Sequence, residues 1–334
     1  MTNRRGHLRA IAGIALVLMV SLGAGGPALA ALVKTRIGAG VSPPSMDTIV
    51  IYVANEQGYF RAAGLDAEIL AFRGGTTNAK ALLAGEIDVS AEMGASTAIV
   101  SAAKGADMRA YYVLSGVPPY YLVARAPISR VTELAGRSIA VSGIGAISYH
   151  IPRAVLERAG VDPEKAKYVA IGSPADRFRA VVAGKVDATL AAPVEAVQLE
   201  RYPQVRVLVK IPEVLPEFIY ELTVAKKTTA QQKPEVVGGV VKGLIQGARF
   251  AARNKEAVVR IAHKITNVDE ETLARSYDIF PKEHWSVNGE LSRSQYEFSA
   301  NLLTRVGYMK EPLPYAEFFD PRFVESALKE LGRW

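Results

Sequence analysis

The chain has 334 residues, 49% of them hydrophobic, with no cysteine and a formal net charge of +7. That length suits two domains with separate cores. The missing thiol excludes a disulfide framework, a lipid-anchoring cysteine, cysteine-ligated zinc and a cysteine nucleophile.

The first 30 residues read as a secretory signal. Arg4, Arg5 and Arg9 precede an apolar run from Ala10 to Leu22, and Ala28-x-Ala30 is a small-residue cleavage site. The run is too short to cross about 30 Å of hydrocarbon. Cleavage near Ala30 places the mature protein in the periplasm. "NRRGHLR" carries the arginine pair of a twin-arginine signal, but His7 stands where an aromatic or apolar residue is usual, so both export routes stay open. Beyond this segment the formal charge is +4, because its three arginines face no acid. Both signs are interspersed there, with no basic block to suggest nucleic acid.

From residue 32 strands and helices alternate. "VKTRIGAG" is a short strand ending in glycines, and Ser45 is placed to cap a helix over about 46–57 that Gly58 ends. "LDAEILAF", "IDVSAE", "MRAYYVLS" and "YYLVARA" read as strands, with helices over "TTNAKALLA" and "STAIVSAAK". The pattern restarts at "RSIAVS", followed by a helix over 147–159, the strand "KYVAIG", the helix "PADRFRAVVA" and the strand "VDATLA". A helix over "PVEAVQLERY" and the strands "VRVLVKI" and "FIYELTVAK" follow. Beyond Gln231 only amphipathic helices appear, which must lie against a sheet built earlier. Such alternation implies parallel sheets covered by helices.

One joint occurs twice without a gap. "ALLAGEIDVS" at 81–90 aligns with "AVVAGKVDAT" at 180–189, an offset of 99. In each, a glycine closes a helix, a charged residue sits in the turn and a β-branched residue opens a strand. Asp88 and Asp187 are expected to hold backbone N–H groups there, a structural role.

"IYVANEQGYFRAAGLDAEILAFRGG", "ALLAGEIDVSAEMGAS" and "ADRFRAVVAGKVDATLAAPVEA" occur in order behind the signal segment, with "KPEVV" opening the helical part. This resembles periplasmic substrate-binding proteins of ABC importers, of the nitrate, sulfonate, taurine and thiamine-precursor type. The resemblance covers about residue 34 to the end. It implies an α/β fold of the type II periplasmic-binding-protein kind: two lobes joined by two crossover segments, with ligand in the cleft. Lobe one is then expected over 31–124 and 220–334, and lobe two over 125–219. The crossings fall near Arg125–Ser129 and Pro216–Tyr220, and the lobes close on the ligand.

Ligands of open α/β sheets lie beyond the strand carboxyl ends, where helix N-termini hold anions. Four Gly/Ser-rich turns are placed to do this: Ser42, Pro44 and Ser45; Gly75 and Thr76; Gly94, Ala95 and Ser96; Gly145, Ser148 and Tyr149. The repeat offset sets Pro193 and Glu195 opposite Gly94 and Ser96, while Ser115 and Tyr220 lie beside the crossings. Arg73 is the candidate charge partner. Sulfonate binders of this kind open the second-lobe helix with Gly-Ser, whereas this chain has Gly145-Ala146. A larger or partly aromatic organic anion, or a thiamine-like heteroaromatic, fits that change.

The resemblance therefore implies a non-catalytic, monomeric solute binder without cofactor or metal. It delivers a small organic anion to a permease and its ATPase. His150, His263 and His284 share no metal-ligand spacing. A pyrimidine-synthase-like enzyme of thiamine formation shares the fold but is cytoplasmic with a cysteine-rich motif, and a periplasmic sensory lobe would use the same pocket.

Overall fold

The structure, a computed structural model, describes residues 31–280 and 284–334, so the signal segment lies outside the described residues. Among the described residues ten strands form two five-stranded sheets. The first contains β1 (Val33–Ala39), β2 (Leu65–Ala71), β3 (Val89–Gly94), β4 (Arg109–Ser115) and β10 (Glu221–Ala225). The second contains β5 (Tyr121–Arg125), β6 (Ser138–Val141), β7 (Lys167–Ala170), β8 (Ala188–Ala191) and β9 (Val205–Lys210).

The strand orders are β2-β1-β3-β10-β4 and β7-β6-β8-β5-β9. Each sheet thus has a parallel trio, and each receives one antiparallel strand that arrives just after a crossing: β5 in the second sheet, β10 in the first. The chain passes between the sheets at residues 116–120 and again at 211–220, the latter containing the short helix Ile211–Val214. The first passage therefore precedes the segment 125–129 expected from the sequence, and the expected boundary at 124/125 cuts through β5. "YYLVARA" reads equally well as the last strand of one sheet or the first of the next. Only its pairing with β8 and β9 decides.

The repeated joint has the same hydrogen bonds in both sheets. Gly85 and Gly184 take φ values of 79° and 73°, the left-handed turn that releases the helix. The Asp88 carboxylate then accepts from the Arg36 N–H at 2.8 Å, and Asp187 from the Ser138 N–H at 2.8 Å. The partners are the adjacent strand's N–H groups, not those of the turn itself. Each aspartate ties the incoming strand to its parallel neighbour at the start of the pairing, Ile37 with Val89 and Ile139 with Ala188. Asp187 also accepts from the Ser138 hydroxyl at 2.7 Å. Replacing Asp187 with Ala should cost about 1–3 kcal/mol, since it strands a partly buried N–H and hydroxyl. Asp88→Ala should cost less, because its N–H partner belongs to the exposed Arg36 and no hydroxyl is stranded with it. Chemical denaturation of both variants checks the order.

Ser45 does not cap the first helix, which runs from Ile49 to Glu56. Its hydroxyl donates to Asp47 at 2.5 Å instead, and residues 46–48 form a turn. The helix Pro234–Arg253 lies on the first sheet's outer layer. Gly239, Gly243 and Gly247 run along one of its faces at a spacing of four and meet Leu65, Phe60 and Ala54. The C-terminal helices are not confined to the first lobe. Glu270–Ile279 packs against Pro193–Gln198, Arg275 pairs with Glu200, and Arg305 pairs with Glu157 at 3.1 Å. Among the described residues no helix is long and apolar enough to cross a membrane.

Candidate functional site

The carboxyl ends of β1, β2, β3, β6 and β7 face one cleft between the sheets. The helices after β2, β3, β6 and β7 begin at Gly75, Ala95, Ile147 and Pro174, and residues at each start line one inner cavity of about 30 Å³. That is room for one or two water molecules. The sheets are shut over it. Arg73 pairs with Asp176 from the opposite side, and the Thr97 hydroxyl donates to the Gly145 carbonyl at 3.2 Å. Ile147 packs so close to Gly94 that a Cβ there would lie 2.8 Å from its own Cβ. A second cavity of about 570 Å³ opens beside the first, sharing Pro174. Its wall is mostly apolar, with Pro43, Pro44, Phe178, Val194, Tyr202 and Val268.

Of the residues expected from sequence, Arg73, Gly75, Gly94 and Ser148 line the inner cavity, and Pro44, Ser45 and Glu195 line the outer one. Ser42, Thr76, Ala95, Ser96, Ser115, Gly145, Tyr149, Pro193 and Tyr220 line neither. The reasons are local. The Ala95 N–H is taken by the Tyr220 carbonyl at 2.7 Å, which occupies the start of that helix. Ser96 and Ser115 are fully buried behind the lining. The Gly145 carbonyl accepts from Thr97, and His150 Nε2 lies 3.1 Å from it. Tyr149 turns away into a cluster with Tyr168 and Tyr308, its ring 5.0 Å from the Arg153 guanidinium. Arg73 is engaged by Asp176.

The two crossings meet at a pair of tyrosines. The Tyr220 hydroxyl donates to the Tyr120 hydroxyl at 2.6 Å, and the rings cross at 84°. Tyr120 is the one that lines the cavity, while Tyr220 lies behind it.

The charged lining is what sequence reasoning missed. Glu92 on β3 and Glu221 on β10 line the inner cavity at 1% and 3% exposure, and Arg177 faces them at 2%. Glu92 Oε2 accepts from the Gly40 N–H at 3.1 Å, but Oε1 has no partner. Glu221 Oε2 has none either, nor do Arg177 Nε and Nη2, among the described residues. Arg177 Nη1 donates to the Gly172 carbonyl at 2.6 Å. Buried Asp47 stands near both glutamates. Burial, then the neighbouring Asp47 charge, pushes Glu92 well up, and burial, then Glu92 and Asp47, does the same to Glu221. Burial also raises Asp47, and it lifts Glu195 to about 7 although Arg177 pulls that group back. A lining built chiefly of N–H groups and hydroxyls was expected, and the structure adds two carboxylates to it. The available signal was a charge inside β3, a strand buried at every position.

Known proteins share this frame. A Bacillus subtilis (strain 168) protein named "Putative binding protein YtlA" is 21% identical over 291 residues, covering 84% of this chain and 86% of its own. The alkanesulfonate-binding protein SsuA from Xanthomonas axonopodis pv. citri, bound to MOPS, superposes with a TM-score of 0.73 at 19% identity, over 87% of this chain and 99% of that one. The nitrate-binding protein NrtA from Synechocystis PCC 6803 gives 0.74 at 14% identity, over 90% and 89%. The desulfurization enzyme DSZB gives 0.60 at 17%, over 90% and 99%, so the frame also hosts catalysis. At these identities the likenesses show the fold, that of periplasmic binding proteins. The family model described as "NMT1/THI5 like" matches residues 45–257, well over half of the sequence, and the chain belongs to that family.

Proposed function

We propose that this protein is the extracytoplasmic solute-binding component of an ABC importer. It holds one small molecule between its lobes and hands it to a membrane permease driven by an ATPase. The observation that carries this reading is the cleft. Helix starts from both sheets converge on one buried cavity in which Glu92, Glu221 and Arg177 each present an atom without a partner, and two chain segments join the sheets among the described residues. Buried polar groups without partners are costly, and a bound solute relieves them. Hinging at a few residues of the two segments opens the cleft.

The reading includes a non-catalytic role. His150 bonds a backbone carbonyl and meets the Tyr308 ring edge to face at 4.3 Å, outside the cavity lining. Burial lowers it to about 4, so it stays neutral near pH 7. The ligand-free protein, screened by thermal shift against amines, amino acids, carboxylates, sulfonates, nitrate and aminopyrimidines, should be stabilised by one class. Calorimetry should give a stoichiometry of one, with the solute recovered unchanged. Chemical turnover of that solute would replace the binder reading with an enzyme.

A further inference from the structure

We infer that the solute is a small organic cation whose N–H-bearing nitrogen sits between Glu92 and Glu221, with its apolar body in the outer cavity. This rests on the solute-binding reading and goes further, to the chemistry of the solute.

The inner cavity is where charge is unbalanced. Glu92 and Glu221 enter it from neighbouring strands, since β10 pairs with β3, and each presents an oxygen with no donor among the described residues. Burial keeps both carboxyls protonated while the cavity holds no charge partner; a cation placed between them favours their ionised form, which accepts only and so takes N–H donors. Two such groups around so small a space fit the several donors of an ammonium or amidinium. An anion there would keep both carboxyls protonated and gain no charge pair from them.

Arg177 calls for a second feature of the solute, an acceptor. It is 2% exposed and faces the same cavity, with two N–H positions unpaired among the described residues. Its charge is attracted by Glu195, which lies in the outer wall. Arg177 therefore offers donors to a neutral acceptor next to the cation, such as a hydroxyl. The inner cavity is too small for more than a head group. The outer cavity shares Pro174 with it, and Phe178, Val194 and Tyr202 there suit an aliphatic or aromatic remainder.

Three probes separate these features: 2-amino-1-phenylethanol, ethanolamine and mandelate. The first carries cation, hydroxyl and apolar body, the second lacks the body, and the third replaces the cation with a carboxylate. Calorimetry on the ligand-free protein should rank 2-amino-1-phenylethanol tightest, at least tenfold above ethanolamine, with mandelate weakest. Glu92→Gln and Glu221→Gln keep size and shape. Each should weaken both amines at least tenfold and leave mandelate no weaker. Two separate variants guard against one that misfolds. Mandelate binding tightest, or amine binding indifferent to both substitutions, would overturn the cation site while leaving the solute-binding reading intact. Binding of none of the three, with a carboxylate, a sulfonate or nitrate as the hit in the broad screen, would also overturn the cation proposal alone. No hit in either experiment would remove the binding reading with it.

Discussion

The melting temperature of the ligand-free protein should fall as the pH rises from 5 to 7.5. Asp47, Glu92, Glu195 and Glu221 are all raised by burial in the folded state. Between their ordinary values and the raised ones, the folded protein holds protons that the unfolded chain has released. Stability then decreases with pH across that window. Glu195, lifted from 4.5 to about 7, sets the window's position. Alone it accounts for about 3 kcal/mol at roughly 1.4 kcal/mol per pH unit, on the order of 5 °C or more in a chain of this size. Groups held low work in the opposite sense: the contribution of Asp176 and Asp187 is lost only below this window, whereas His150, lowered from 6.5 to about 4, offsets part of the fall up to pH 6.5, so the decline is steepest between pH 6.5 and 7.5. The double variant Glu92→Gln/Glu221→Gln cannot ionise at two of the four positions. It should melt higher than the wild type at pH 7.5 and show a flatter slope. Calorimetric melts of both proteins check this, and a wild-type melting point that climbs across the window would show that these carboxyls are solvated.

The second large effect lies far from the cleft. Gly247→Val should destabilise the protein by about 3 kcal/mol or more, because overpacking a rigid contact forces the backbone apart. A Cβ at Gly247 would lie 2.9 Å from the Val50 carbonyl oxygen and 2.9 Å from the Ala54 Cβ. Neither is a side-chain end that can swing aside. The helix Pro234–Arg253 would have to lift from Ile49–Glu56, unseating the largest buried layer of the first sheet. Gly238→Ala in the same helix is the control. Its Cβ would lie 3.3 Å from the Phe323 ring edge, and alanine favours the helix by about 1 kcal/mol over glycine. Urea denaturation should place the two variants on opposite sides of the wild type or leave the second unchanged.

Much of the fold could be read in the sequence because its signals are local. The joint at Ala81–Ser90 and its copy at Ala180–Thr189 betrayed two similar sheets, and alternating strand and helix patterns gave their elements. What escaped was long-range. The assignment of β5 to the second sheet depends on its pairing with β8, some 65 residues later, and no periodicity encodes that. The site divided in the same way. Glycine-led helix starts were visible, and Gly75, Gly94 and Ser148 do line the cavity. Yet which start is open depends on what fills it, and the Tyr220 carbonyl and the Ile147 side chain come from distant parts of the chain. Glu92, Glu221 and Arg177 were passed over because an isolated charge usually belongs to a solvated face. Glu92, in a strand otherwise apolar or small, was the readable exception. Its neighbours Val89, Ala91, Met93 and Gly94 leave it no solvated face.

The central claim is that two lobes, hinged at residues 116–120 and 211–220, shut on one solute. Small-angle X-ray scattering of the ligand-free protein and of the protein saturated with the solute identified in the thermal screen tests it most directly. The account predicts a larger radius of gyration without solute, falling on saturation to the value of the closed structure. An unchanged radius, with saturation verified by calorimetry on the same sample, would contradict it.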